Sequence, residues 1–135
     1  MIKQLLFTAL FSSMPVTSLF ADSFAFTFTW GDIPICTSGQ PNQVENPTFK
    51  LSNVPEGTRY LYFNLTDKNV PTFQHGGGIV EFTGQAIIEP GAFKYLSPCP
   101  PSGRHTYEWK ATAKSKKSMF GGKLGSAKAS VDYPE

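Results

Sequence analysis

The chain has 135 residues, 12 lysines and arginines against 10 aspartates and glutamates, and a formal net charge of +2. That length fits one domain with one core, and so balanced a charge excludes the uniformly basic surface of a nucleic-acid binder. Its 12 glycines and 11 prolines argue against long helices, and no stretch approaches the ~20 apolar residues of a membrane-spanning helix.

Residues Met1–Ala21 have the order of a secretory signal. Lys3 supplies the positive start, and Leu5–Phe11 an apolar core interrupted only by Thr8. Ser18-Leu19-Phe20-Ala21 then offers a small residue just before Asp22. A buried N-terminal helix would not explain that order. An exported protein, periplasmic or secreted, is therefore expected, with residues 22–135 as its single domain.

The rest of the chain is patterned as strands. Phe24, Phe26, Phe28 and Trp30 alternate with Ala25, Thr27 and Thr29, the period-two signature of a half-buried strand. A polar stretch from Thr37 to Asn46 follows, and then Phe49 and Leu51 alternate with Thr48 and Lys50. Val54-Pro55-Glu56-Gly57 is a turn. Tyr60–Leu65 carries apolar or aromatic residues on both faces and is expected to be buried on both sides. Ile79–Phe82 and Ala86–Ile88 are short strands, and Pro90-Gly91 a turn. From His105 the alternation is regular, with Tyr107, Trp109, Ala111 and Ala113 on the histidine's face. A reversal at Gly121-Gly122 leads to a last strand with Ala127, Ala129, Val131 and Tyr133 on one face. Many short strands separated by turn signals predict an all-β sandwich or barrel.

Lysines 110, 114, 116, 117, 123 and 128 crowd the C-terminal quarter. Without an arginine cluster or interleaved aromatic platform they read as a solvated strand face and turn. Cys36 and Cys99 are the only cysteines, and an even pair in an exported chain predicts one disulfide. Closing that loop would contribute about 3–4 kcal/mol through the unfolded state.

Both histidines of the chain fall in rigid, polar loop segments beside alternating runs. One is Thr66-Asp67-Lys68-Asn69-Val70-Pro71 leading to His75-Gly76-Gly77-Gly78, and the other is Pro98-Cys99-Pro100-Pro101-Ser102-Gly103-Arg104-His105-Thr106-Tyr107. Two such loops meeting at one end of a sheet would form a small polar pocket. The plainer roles are a carbonyl cap for His75 and a core-facing histidine bonded to Asp67 or a tyrosine for His105. Gly76-Gly77-Gly78 reads as a close approach of backbone. An oxyanion loop would be accompanied by Gly-x-Ser-x-Gly, which the sequence lacks.

In its order of motifs the sequence resembles the phosphatidylethanolamine-binding protein (PEBP) family, in its bacterial Raf-kinase-inhibitor-like form. The resemblance runs from about Cys36 to Ala113 and is carried by Asn46-Pro47-Thr48-Phe49, by Asp67-x-Asn69-x-Pro71 with His75, and by Tyr95-x-x-Pro98-Cys99-Pro100-Pro101-x-Gly103-x-His105-x-Tyr107. It implies a β-sandwich on a central antiparallel sheet, with few or no helices in so short a chain. It also implies an anion pocket at one end, lined by Asp67, Pro71, His75, Pro101, His105 and Tyr107. A protonated histidine pair would attract the oxyanion. The departures are Lys68 and Asn69 where the family has proline and a second aspartate, glycine after His75 in place of tryptophan, and Thr106 in place of arginine. A neutral exchange of two former partners is tolerable where loss of one is not, and the glycines are expected to open or deepen the pocket.

The resulting expectation is an exported, non-enzymatic binding protein that takes a small anion or phospholipid head group and needs no cofactor. A protein-partner module of the protease- or kinase-inhibitor type is the alternative. So is a metal site of Asp67, His75 and His105, which have the composition of a two-histidine, one-carboxylate set. An enzyme using His105 with Asp67 would lack an evident serine or cysteine nucleophile.

Overall fold

The computed structural model describes residues 9–15 and 22–135; most of the expected secretory signal lies outside the described residues. Among the described residues nine strands follow in order: β1 (Ala25–Phe28), β2 (Gln43–Glu45), β3 (Phe49–Ser52), β4 (Tyr60–Asp67), β5 (Gly77–Glu81), β6 (Ile87–Ile88), β7 (Lys94–Leu96), β8 (His105–Lys114) and β9 (Lys123–Tyr133). No helix occurs among the described residues. The main sheet has the order β5-β4-β8-β9, a second sheet the order β1-β3-β6, and β2 pairs with β7. Every pairing is antiparallel. The fold is all-β, as the alternation predicts.

The core lies where β1 and β3 face the main sheet. Register puts Leu61 opposite Ala113, Phe63 opposite Ala111 and Leu65 opposite Trp109, while Trp109 faces Ala129 across β8 and β9. The alanines leave room for aromatic rings reaching in from the second sheet. Phe49 stacks on Phe63 at 4.3 Å between ring centres, and Trp109 meets Phe49 edge-on at 5.3 Å. Such pairs add about 0.5–1.5 kcal/mol each beyond the burial of their area. Trp30 extends this cluster and donates its indole N–H to the Asp132 carbonyl at 3.0 Å, tying the end of β1 to β9.

Three details differ from the sequence reading. The strand β4 buries one face only: Leu61, Phe63, Leu65 and Asp67 point inward, while Tyr60 and Tyr62 are half-buried and Asn64 is exposed. Tyrosine tolerates this because its ring packs while its hydroxyl stays wet. Strand β2 lies inside the stretch read as a polar loop, where Val44 pairs with Tyr95; three residues are too few to show a period. Lys114, read as solvated, is buried, with its ammonium donating to the Ser118 carbonyl and lying 4.8 Å from the Tyr62 ring centre.

Asn46 explains how the loops around β7 are held. Its carbonyl oxygen accepts from the backbone N–H of Gly91, Ala92 and Phe93, and its amide donates to the carbonyls of Pro47 and Glu89. A buried amide so fully matched fixes the approach to β7. That strand in turn carries the backbone that positions His75.

Candidate functional site

The site forms at the end of the main sheet where β4 finishes and β8 begins. Asp67 is opposite Tyr107 in the register, so the last residue of one strand and the third of the next bring their side chains to one point. The Asp67 carboxylate accepts from the Asn69 amide at 2.9 Å and the Val70 amide at 3.2 Å, which closes a tight turn. Its other oxygen is 2.7 Å from Nδ1 of His105. Asn69 and Thr106, two of the departures noted above, meet here. The Thr106 amide donates to the Asn69 side chain at 2.9 Å, and the Thr106 hydroxyl donates to Asp132 at 2.6 Å.

His75 approaches from the loop between β4 and β5. Its carbonyl accepts from the Leu96 amide at 2.8 Å and its Nδ1 donates to the Leu96 carbonyl at 2.8 Å, so the residue is clamped twice to β7. The ring stands edge-on to Tyr107 at 5.4 Å and beside Phe73 at 4.6 Å. The plainer roles considered above therefore hold for both histidines at Nδ1: His75 caps a carbonyl and His105 bonds Asp67. Each retains Nε2 as its second nitrogen.

These groups line a cavity of about 280 Å³ together with Gly39, Pro41, Val70, Phe73, Cys99 and Pro101. Five of the six residues taken from the family motif, Asp67, His75, Pro101, His105 and Tyr107, share this cavity; Pro71 is exposed and does not line it. Pro71 lies past the turn that Asp67 closes, inside the next one, where the Phe73 amide donates to the Val70 carbonyl at 3.1 Å. Gly39, Pro41, Val70 and Phe73 were not foreseen. For Gly39 and Pro41 the one signal is indirect: the Cys36–Cys99 disulfide draws the segment after Cys36 against Pro101.

The triple glycine does not deepen this cavity. Gly76, Gly77 and Gly78 border a separate groove on the outer face of the main sheet, with Tyr62, Asn64, Ile79, Lys110 and Thr112. The close approach expected of them is present: a Cβ on Gly77 would stand 1.8 Å from the Phe63 carbonyl oxygen, and one on Gly78 2.4 Å from Phe93.

The electrostatics separate the two histidines. Burial pushes His75 below its ordinary value of 6.5, only partly opposed by the Leu96 carbonyl and the Asp67 charge. At neutral pH it is a neutral ring, donor at Nδ1 and acceptor at Nε2, which corrects the expectation of a protonated pair. For Asp67 burial acts to raise the value. The His105 hydrogen bond, the two turn amides and the His105 charge outweigh it and hold the carboxyl below 3.8. Burial, with the Asp67 charge beside it, raises the Tyr107 hydroxyl far above its usual range, so it stays a neutral donor. The cavity thus has apolar walls and a floor carrying one carboxylate, one neutral imidazole, one phenol and His105. Among the described residues no group of three or more His, Cys, Asp or Glu side chains is arranged to hold a metal ion.

A β-sandwich with such a cavity at the end of its central antiparallel sheet defines a PEBP-like fold. No protein-family model matches the sequence, and no curated protein matches it. Among solved structures the chain is similar to CT736, a phosphatidylethanolamine-binding protein homologue of Chlamydia trachomatis. The TM-score is 0.59 at 15% identity, over 84% of this chain and 98% of that one. It is also similar to YbcL of Escherichia coli, described as a member of the mammalian PEBP family. There the TM-score is 0.58 at 15% identity, over 82% of this chain and 97% of that one. These likenesses establish the PEBP-like fold.

Proposed function

We propose that the protein is an exported, non-enzymatic binding protein whose cavity takes the phosphate-bearing head of a small ligand. The observation that carries this reading is the bond from Asp67 to Nδ1 of His105 at the cavity floor. It fixes the imidazole and leaves Nε2 to donate to a phosphate oxygen, with the Tyr107 hydroxyl as a second donor. Asp67 and the neutral Nε2 of His75 supply acceptors for an amine or hydroxyl on the same ligand. A zwitterionic head such as phosphoethanolamine matches that division. The apolar rim of Pro41, Val70, Phe73 and Pro101 suits whatever carbon chain follows the head.

Catalysis has less support. Asp67 and His105 have the geometry of two members of a triad, but the third is missing: Cys99 is held in a disulfide. No serine or threonine hydroxyl is hydrogen-bonded to either imidazole among the described residues. Export is supported by the same disulfide, which persists in oxidising compartments, and by the secretory order of residues 1–21. The test is calorimetric titration of phosphate and phosphoethanolamine into the wild type and His105→Ala at pH 6 and pH 8. Binding lost in the variant is expected, because the substitution removes the Nε2 donor. Binding that ignores the substitution, or none at either pH, would overturn the reading.

A further inference from the structure

At the opposite end of the main sheet, β8 and β9 are joined by a hairpin whose tip sets two large apolar side chains beside several cations. Met119 and Phe120 are 86% and 85% exposed, side by side at the apex. Lys116 and Lys117 precede them and Lys123 follows, all three exposed. Single apolar residues on a surface need no explanation. Two large ones together at the tip of a hairpin, flanked in sequence by exposed lysines, do.

The tip is built to hold that arrangement. Ser118 Oγ donates to the Phe120 carbonyl at 2.7 Å and accepts from the Phe120 amide at 3.1 Å, and the Ser115 amide closes the loop on the Gly122 carbonyl at 2.8 Å. The buried Lys114 anchors the base through the Ser118 carbonyl and the Tyr62 ring. Gly121 and Gly122 have φ of +75° and +74°, and the Lys116 stem crosses them where a Cβ on Gly122 would stand 2.8 Å from its Cγ. Positive φ is open to glycine, so the turn directs Met119 and Phe120 outward instead of folding them back. The carboxylates nearest this end are Glu56 on the β3–β4 turn and Glu81 at the end of β5, with Arg59 beside them.

We propose that this hairpin tip docks on the surface of an anionic lipid bilayer, with Met119 and Phe120 entering the head-group region and the three lysines on lipid phosphates. Apolar side chains at an apex flanked by cations match the two layers of a membrane surface, apolar below and anionic above. A nucleic acid or acidic polysaccharide would use the lysines and leave the apolar pair in water. Each lysine near such a surface strengthens partitioning about fivefold. The tip lies about 30 Å from the cavity, at ~3.3 Å per residue along β8 from His105 to Lys114, so docking leaves the cavity facing away from the bilayer. The inference is independent of what the cavity binds.

The test is co-sedimentation with vesicles of phosphatidylcholine, with and without phosphatidylglycerol. It uses residues 22–135, which hold every strand among the described residues, so that the apolar N-terminal segment does not contribute. Binding to the phosphatidylglycerol vesicles, weakened by salt, is expected. It should fall at least ~10-fold in the double variant Met119→Ser/Phe120→Ser and several-fold in Lys116→Gln/Lys117→Gln. Phe120→Trp should keep binding and shift its emission to the blue with vesicles, as an interfacial aromatic does. Near-ultraviolet circular dichroism of each variant checks that the aromatic core is intact. Absence of wild-type binding, or binding that the double serine variant retains, would overturn the proposal.

Discussion

The two ends of the β4–β8 strand pair obey opposite rules. At the cavity end polar side chains are buried and matched: Asp67 by two amides and His105, and His75 by Leu96. At the hairpin end apolar side chains are exposed, and most of the lysines around them project into solvent. The disulfide, the Cys36 amide donating to the Tyr133 hydroxyl at 3.0 Å, and the double clamp on His75 all serve the cavity end. Buried polar groups are expensive unless satisfied, so a site built from them needs a rigid frame. A surface that meets its partner outside the fold needs only a turn that holds its shape.

The comparison breaks most readily at the frame. Gly77→Ala would drive a methyl into the Phe63 carbonyl and part β5 from β4. Loss of more than about 4 kcal/mol, read as a shifted urea midpoint or as failure to fold, is expected. Next comes the disulfide: Cys36→Ser with Cys99→Ser should lower stability by about 3–4 kcal/mol. It should also loosen Pro101 and Gly39, so phosphoethanolamine affinity falls more than in variants outside the cavity. Equal stability of the double serine protein and the wild type in chemical denaturation would contradict this.

Acid exposes the same end. His75 has a folded value below 6.5, so the unfolded chain takes up its proton first, and stability is fully present above about pH 6.5 and declines below it. Asp67, held below 3.8, adds a second decline as the pH falls below about 4. His75→Gln should be less stable at neutral pH by about 1–2 kcal/mol but should lose the first decline. Denaturation measured at a series of pH values tests this, and an unchanged slope in the variant would reject the burial argument. The smallest effect belongs to the other end. Met119→Ser with Phe120→Ser should change stability by no more than about 0.5 kcal/mol, since nothing inside the fold packs on them.

Much of the cavity was legible because its polar residues end or begin alternating runs. Asp67 closes β4 and His105 opens β8, and their meeting in one pocket was what the family resemblance implied, since alternation does not report which strands pair. The walls were not legible. Gly39 and Pro41 sit in a polar stretch without period, and they reach the cavity only because Cys36 is bonded to Cys99. Pro71 shows the limit of motif transfer, since its place in the turn keeps it off the cavity. The neutral state of His75 depends on burial, which alternation around a loop residue does not report. Lys114 looked solvated for a related reason: β8 ends in a hairpin that folds back over it.

The central claim is that one histidine of the cavity reads the ligand while the other is a fixed neutral element. Nitrogen-15 NMR of the two imidazoles, with and without phosphoethanolamine, tests it most directly. His75 should show a protonated Nδ1 and bare Nε2 at neutral pH, with Nδ1 unmoved by ligand, while the His105 nitrogens shift as Nε2 takes a phosphate oxygen. A charged His75, or a His105 indifferent to ligand, would contradict the account.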